Sequence, residues 1–311
     1  MRTQDRLALL ALGALWGGGF LFVRIAVPAF GPFALVALRV LIAGTLMLAW
    51  ARALGEAPPF WRRWREYLVL SALNVAIPFV LSAWAVLTVP ASFAAIMMAT
   101  IPLATAPLAA VQLREYPTPR QIAGLLLGFA GVAVLVGLGP IPIAPDFLTA
   151  TAALLGASLC YAVGGIYTAR HFTGASPVES TIGQQFAAFA LLLPFSLLFP
   201  PPGWPPLNAI AALLILAVFG TVLAYLLYFR LISSVGPTQQ ATVAYLIPLF
   251  GAAWGVIVLD EPFGPATIVG MAIVLLGVVL VTGYRIGGVG GRRSEVGRTT
   301  ESRQAIVDSR E

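Results

Sequence analysis

The stretch IPLATAPLAAVQLREYPTPRQIAGLLLGFAGVAVLVG (101–137) has a second version, IPLFGAAWGVIVLDEPFGPATIVGMAIVLLGVVLVTG (247–283). Pro102, Glu115, Gly124, Gly131 and Gly137 of the first correspond to Pro248, Glu261, Gly270, Gly277 and Gly283 of the second. Each pair is 146 residues apart (248 − 102 = 146). Outside the short polar loop in the middle, both versions are almost wholly apolar. A fixed offset of this kind across apolar segments marks an internal duplication, and so a chain built from two similar bundles.

Composition agrees. Of 311 residues, 59% are hydrophobic and only 10% charged, whereas soluble domains carry roughly a quarter charged residues. The cationic residues are all arginine, which with abundant Ala, Gly and Pro suggests a GC-rich, bacterial genome. The net charge of +6 is no nucleic-acid footprint, because the arginines lie in short loops and a tail rather than along one aromatic-laced face. One cysteine, Cys160, excludes an internal disulfide. Arg2 and Arg6 before an apolar run resemble a signal peptide, but the run is long and no cleavage site precedes Pro32, so it is read as a helix.

A bilayer core needs about 20 apolar residues per helix. Ten spans are expected: 7–27, 32–51, 67–87, 89–112, 120–138, 147–169, 177–199, 207–230, 236–258 and 263–283. Breakers separate them, among them Phe30-Gly31-Pro32, Val89-Pro90, Gly139-Pro140, Pro200-Pro201-Pro202 and Gly236-Pro237. Arginines fall in alternate loops (Arg52 to Arg65, Arg114 with Arg120, Arg170, Arg230), at the amino terminus and in the tail. Such loops stay cytoplasmic, so both termini are expected inside. Ten spans at this offset give five per repeat. Five is odd, so the second repeat enters the membrane inverted. The domains expected are 1–144, 145–284 and a basic, disordered tail at 285–311. An inverted pair supplies the two mirror-related states that a carrier working by alternating access requires.

The segment Gly220-Thr-Val-Leu-Ala-Tyr225-Leu-Leu-Tyr228-Phe-Arg230, with Tyr245-Leu-Ile-Pro248, Leu259-Asp260-Glu261-Pro262 and Gly270 through Gly277, resembles the EamA-type branch of the drug/metabolite transporter superfamily. Leu15-Trp16-Gly17-Gly18-Gly19-Phe20, Ala37-Leu38-Arg39, Thr100-Ile101-Pro102 and Arg114-Glu115 carry the likeness into the first half. It covers residues 6 to 284, and Arg114 departs from the glycine usual after the fourth span. The resemblance implies an all-α integral membrane protein, ten transmembrane helices in two inverted repeats, that exports or exchanges a small organic metabolite, often an amino acid.

Polar groups at membrane depth are the candidates for a substrate site, since an amide, phenol or charge facing lipid is costly. Trp16, Asn74, Tyr161, Gln184, Gln185 and Tyr245 should point inward, either to a substrate or to another helix. Trp16 and Tyr161 match between repeats (161 − 16 = 145). Arg24 is close enough to the boundary to snorkel. Arg39 lies roughly 10 Å deep, where a charge costs from about 2.5 kcal/mol upward. It binds either helix-end carbonyls or an anionic group of the substrate.

Pro102 and Pro248, mid-span, remove a donor and free a carbonyl, as kinks or hinges. Small residues around Pro248 (Ala241, Ala244, Gly251, Ala252, Gly255), and the pairs Gly13 with Gly17 and Gly124 with Gly128, suit close helix packing. Glu115 and Glu261 stand just before the fifth and tenth spans, as caps on helix amino ends.

No metal-ligand spacing, catalytic triad or phosphate loop is present, so neither metal nor cofactor is expected. The expectation is a secondary carrier in the bacterial inner membrane, a monomer or homodimer whose partners are lipid and a small molecule. With no acid at mid-span, facilitated export or exchange is favoured over proton coupling. The alternatives are a membrane enzyme of lipid metabolism and a structural or signalling protein.

Overall fold

The computed structural model describes residues 2–56, 59–113, 117–138, 144–172, 174–262 and 264–282. Glu115 and the tail at 285–311 lie outside these. Among the described residues the chain is all helix, without a strand. Eight helical runs are long and apolar enough to cross a membrane, and Val243–Leu259 is a shorter apolar helix.

α1 (Thr3–Ala53) carries the first two expected spans in one run. Gly31, between Pro28 and Pro32, takes φ 72°, a backbone conformation glycine adopts without a Cβ penalty. The two arms therefore meet at a bend instead of a loop. α2 (Trp64–Ser71) and α3 (Ile77–Ala85) are joined by a π-helical turn at Ala72–Ala76. α4 (Ala91–Met98) and α5 (Ile101–Leu113) are the halves of the fourth span. The interruption follows from Pro102, which has no N–H to offer the Met98 carbonyl. Ala99 and Thr100 instead form tighter turns onto the Ile96 and Met97 carbonyls, both at 3.0 Å.

α6 (Pro119–Leu138), α7 (Pro145–His171) and α8 (Pro177–Leu198) follow. α9 (Leu207–Ala217) and α10 (Ala224–Val235) are joined by a second π-helical turn, Val218–Leu223. α11 (Pro237–Gln240), α12 (Val243–Leu259) and α13 (Pro265–Thr282) complete the order. In the ninth span the interruption falls at Ala241 and Thr242, and Pro248 sits within α12.

In a bilayer, helices associate by close van der Waals packing, which small residues permit. The first arm of α1 lies on α12. A Cβ at Gly17 would come within 2.7 Å of the Ile247 carbonyl oxygen and 2.8 Å of the Gly251 nitrogen. α4 packs on the same helix, with Ala95 against Gly251. α6 and α13 approach backbone to backbone. A Cβ at Gly124 would stand 2.8 Å from the Gly277 carbonyl oxygen, and one at Gly277 2.6 Å from the Gly128 nitrogen. Gly124 and Gly128 are thus packing residues.

Two charged groups act differently from the sequence expectation. Arg24 finds its partner on another helix: its Nη1 donates to the Val86 carbonyl, with Val89 O at 3.5 Å, at the carboxyl end of α3. Glu261 does not cap α13, whose first turn holds no acidic residue. Its carboxylate accepts from the Ala91 N–H (2.6 Å) and the Ser92 N–H (2.9 Å). It therefore satisfies orphan donors at the amino end of α4, where the helix dipole favours an anion.

Candidate substrate cavity

The two arms of α1, the two π-helical turns and the residues flanking the interruption at 99–100 surround a cavity of about 290 Å³. Trp16 comes from the first arm of α1 and Arg39 from the second. Asn74 comes from the first π turn, Tyr161 from α7, Thr221 from the second π turn and Tyr225 from α10. Met98 and Ile101, flanking the interruption, also line it, as do Phe20, Phe79 and Ser82. Met98 is the residue whose carbonyl loses its donor at Pro102.

Hydrogen bonding fixes the second π turn against Arg39. A π turn breaks the regular i to i−4 ladder, and such bulges are frequent at functional sites. Here the Thr221 hydroxyl donates to the Leu216 carbonyl (3.0 Å) and accepts from Arg39 Nε (3.1 Å). The guanidinium also lies over the Phe79 ring, 4.4 Å from its centroid. Among the described residues Arg39 thus binds a hydroxyl and a ring face, not a helix-end carbonyl; that role falls to Arg24. The Trp16 ring packs edge-on to Tyr225 (6.4 Å) and tilted against Tyr228 (5.8 Å). Asn74 Nδ2 stands 3.5 Å from Thr168 Oγ1, and its Oδ1 fills the space a Cβ at Gly164 would need.

The structure brings together four of the seven residues proposed for binding: Trp16, Arg39, Asn74 and Tyr161. The other three stand apart. Gln184 is buried behind the wall, its Nε2 donating to the Tyr225 hydroxyl at 3.4 Å. Gln185 is 1% exposed, with neither amide atom hydrogen-bonded, and packs toward Gly44. Tyr245 does not line the cavity; its hydroxyl lies 2.7 Å from Thr282 Oγ1 on α13. Thr221, Tyr225 and Ser82 were not among the residues proposed for binding, although Thr221 and Tyr225 lie in the segment Gly220 to Arg230 that carries the family resemblance. Gly220-Thr221 also stands 146 residues after Asn74-Val75, the chain's own repeat offset.

A second hollow of about 320 Å³ opens between α1, α9 and α12. Its walls are apolar, and the indole N–H of Trp254 is already bonded to the Ala14 carbonyl at 3.2 Å. It has nothing to orient a polar solute. Gly19 and Gly220 border both hollows. Among the described residues no cluster of His, Cys, Asp or Glu could hold a metal ion.

Apolar helices around a cavity with few, convergent polar groups are the architecture of a multi-pass membrane protein with a candidate solute cavity. Residues 6–137 and 148–283 each match the EamA-like transporter family, and the chain belongs to that family. It is 28% identical over 291 residues to an uncharacterized transporter of Archaeoglobus fulgidus, covering 91% of this chain and 98% of that one. The uncharacterized inner membrane transporter YedA of Escherichia coli is 27% identical over 281 residues (88% and 89%). Protein PecM of Dickeya dadantii is 27% identical over 271 residues (86% and 88%). A crystal structure of a protein 21% identical has a TM-score of 0.66, covering 91% of this chain and 98% of that one, and shares the fold. The protein is a membrane transporter.

Proposed function

We propose that the protein exports or exchanges a small organic metabolite, an amino acid or a related compound, by alternating access to this cavity. The observation that carries the reading is the cavity's double parentage. Trp16, Arg39 and Asn74 come from residues 1–144, and Tyr161, Thr221 and Tyr225 from residues 145–284. Relative motion of two five-helix repeats would then open the site to one side at a time. The transporter sits in a bacterial inner membrane with ten spans and both termini cytoplasmic, an orientation supported by the arginine-bearing loops.

Two experiments test this. In proteoliposomes, Trp16→Ala and Asn74→Ala should abolish most protein-dependent flux while leaving folded yield near wild type. Tyr245→Phe, outside the cavity, should keep it. Equal loss for all three would transfer the role of these side chains to packing. For orientation, a cysteine at Pro201 in a Cys160→Ala background should react with an impermeant thiol reagent from outside, and one at Gly55 should not. The reverse labelling pattern would overturn the inverted-repeat layout.

A further inference from the structure

Arg39 is the one ionised side chain on the described cavity wall, and its surroundings are neutral. Thr221 and Phe79 are its partners, and the ionisable groups that face it are two phenols, Tyr161 and Tyr225. Among the described residues the carboxylates sit near helix ends and in loops, and Glu261 is already engaged with α4. A guanidinium has five N–H donors in a planar fork. Nε is used by Thr221. Among the described residues the Nη groups make no hydrogen bond, and Arg39 lines the cavity, so these donors are left for a ligand. A lone cation at this depth is expensive, and an arriving anion removes that cost while a carboxylate matches the fork.

The rest of the wall describes the rest of the ligand. Phe20, Trp16, Tyr161 and Tyr225 bring four aromatic side chains to the wall, and Met98 and Ile101 add apolar ones. A cavity of about 290 Å³ is of the size that takes a small organic ligand. No acidic group is present on the described wall to receive an ammonium.

We infer that the substrate is a small organic monoanion, with one carboxylate taken by the free N–H groups of Arg39 and a flat apolar body lying against Trp16 and Tyr161. This rests on the transport reading above and narrows it: within the compounds related to amino acids, the preferred ones lack the ammonium.

The test uses four molecules of nearly one shape: 3-phenylpropanoate, 3-phenylpropanamide, phenylalanine and 2-phenylethylamine. Protein-dependent uptake into proteoliposomes is measured at neutral pH for wild type, Arg39→Gln and Arg39→Lys. Wild type should carry the acid about tenfold faster than the amide or the amine, and clearly faster than phenylalanine, because a site built for one polar group rejects analogues that leave it unpaired. Arg39→Gln should erase the acid's advantage over the amide, and Arg39→Lys should keep part of it. Equal uptake of acid and amide by wild type overturns the inference without any variant, even if Arg39→Gln fails to fold. Equal uptake of phenylalanine overturns the preference for a net anion, and a folded Arg39→Gln that still prefers the acid overturns the role of Arg39. Uptake of the amine or amide alone would leave the cavity a transport site with the wrong charge assigned. Wild type that carries none of the four, or of a wider metabolite panel, brings down the transport reading itself.

Discussion

Trp16 and Tyr161 stand 145 residues apart and both face the cavity; Arg39 and Gln184 stand at the same separation, yet only Arg39 lines it. The two π-helical turns, Ala72–Ala76 and Val218–Leu223, begin 146 residues apart (218 − 72 = 146) and both contribute to the wall. The first offers Asn74 and the second Gly220 and Thr221. The duplicated property is therefore the backbone device, an irregular turn at cavity depth. The side-chain chemistry mounted on it is one-sided. This division suits a carrier: two-fold scaffolds supply paired motions, while a ligand without two-fold symmetry needs one anchor, and a second cation facing Arg39 would repel it.

The strongest way to break the comparison is at the seam between α1 and α12. Gly17 corresponds, at the 145-residue offset, to Ala162, which is 1% exposed and already carries a Cβ. The repeats are alike in position here and unlike in clearance. Gly17→Ala would press its methyl against the Ile247 carbonyl and the Gly251 nitrogen, backbone atoms that cannot rotate away. Overpacking of this kind costs about 1–3 kcal/mol, and folded yield and melting temperature in detergent should fall clearly. The reciprocal Ala162→Gly should cost only about 1 kcal/mol, the helix-propensity difference with little cavity. Similar losses from the two would mean that the first repeat is no more tightly docked than the second.

Much of this was legible because lipid makes polar residues conspicuous. Trp16, Arg39, Asn74 and Tyr161 announce themselves in apolar spans, and the glycine pairs announce close packing. Thr221 and Ser82 do not, since a hydroxyl can satisfy itself on its own helix, as Thr221 does on Leu216, and so carries no signal at depth. The π turns are hydrogen-bond registers, to which no residue type is committed. Two charges have partners that local sequence did not name, for a shared reason. Arg24 engages carbonyls 62 and 65 residues away, and Glu261 caps a helix 170 residues away. Local sequence places a charge at a helix end or at a depth without saying which other helix end is brought to it. Tyr245 satisfies its hydroxyl on Thr282 of the next helix, a partner that spacing alone does not single out.

The mildest test sharpens the comparison between the π turns. Gly220 takes the place of Asn74 in the second repeat, and a Cβ there meets only ordinary contacts: Arg39 Nη2 and Leu216 Cδ2 at 3.9 Å and the Ile215 carbonyl at 4.0 Å. Nothing in the packing requires glycine, and its backbone is helical, so Gly220→Ala should leave stability unchanged or raise it by up to about 1 kcal/mol. Gly220 also borders the apolar hollow behind the cavity, so the added methyl thickens a thin wall beside the guanidinium. The expected result is an unchanged or higher melting temperature with a modest, few-fold rise in KM. A variant that unfolds would show that the second π turn depends on glycine for its backbone. Only then would the absence of an amide at this position be a requirement of the fold, not a choice of chemistry.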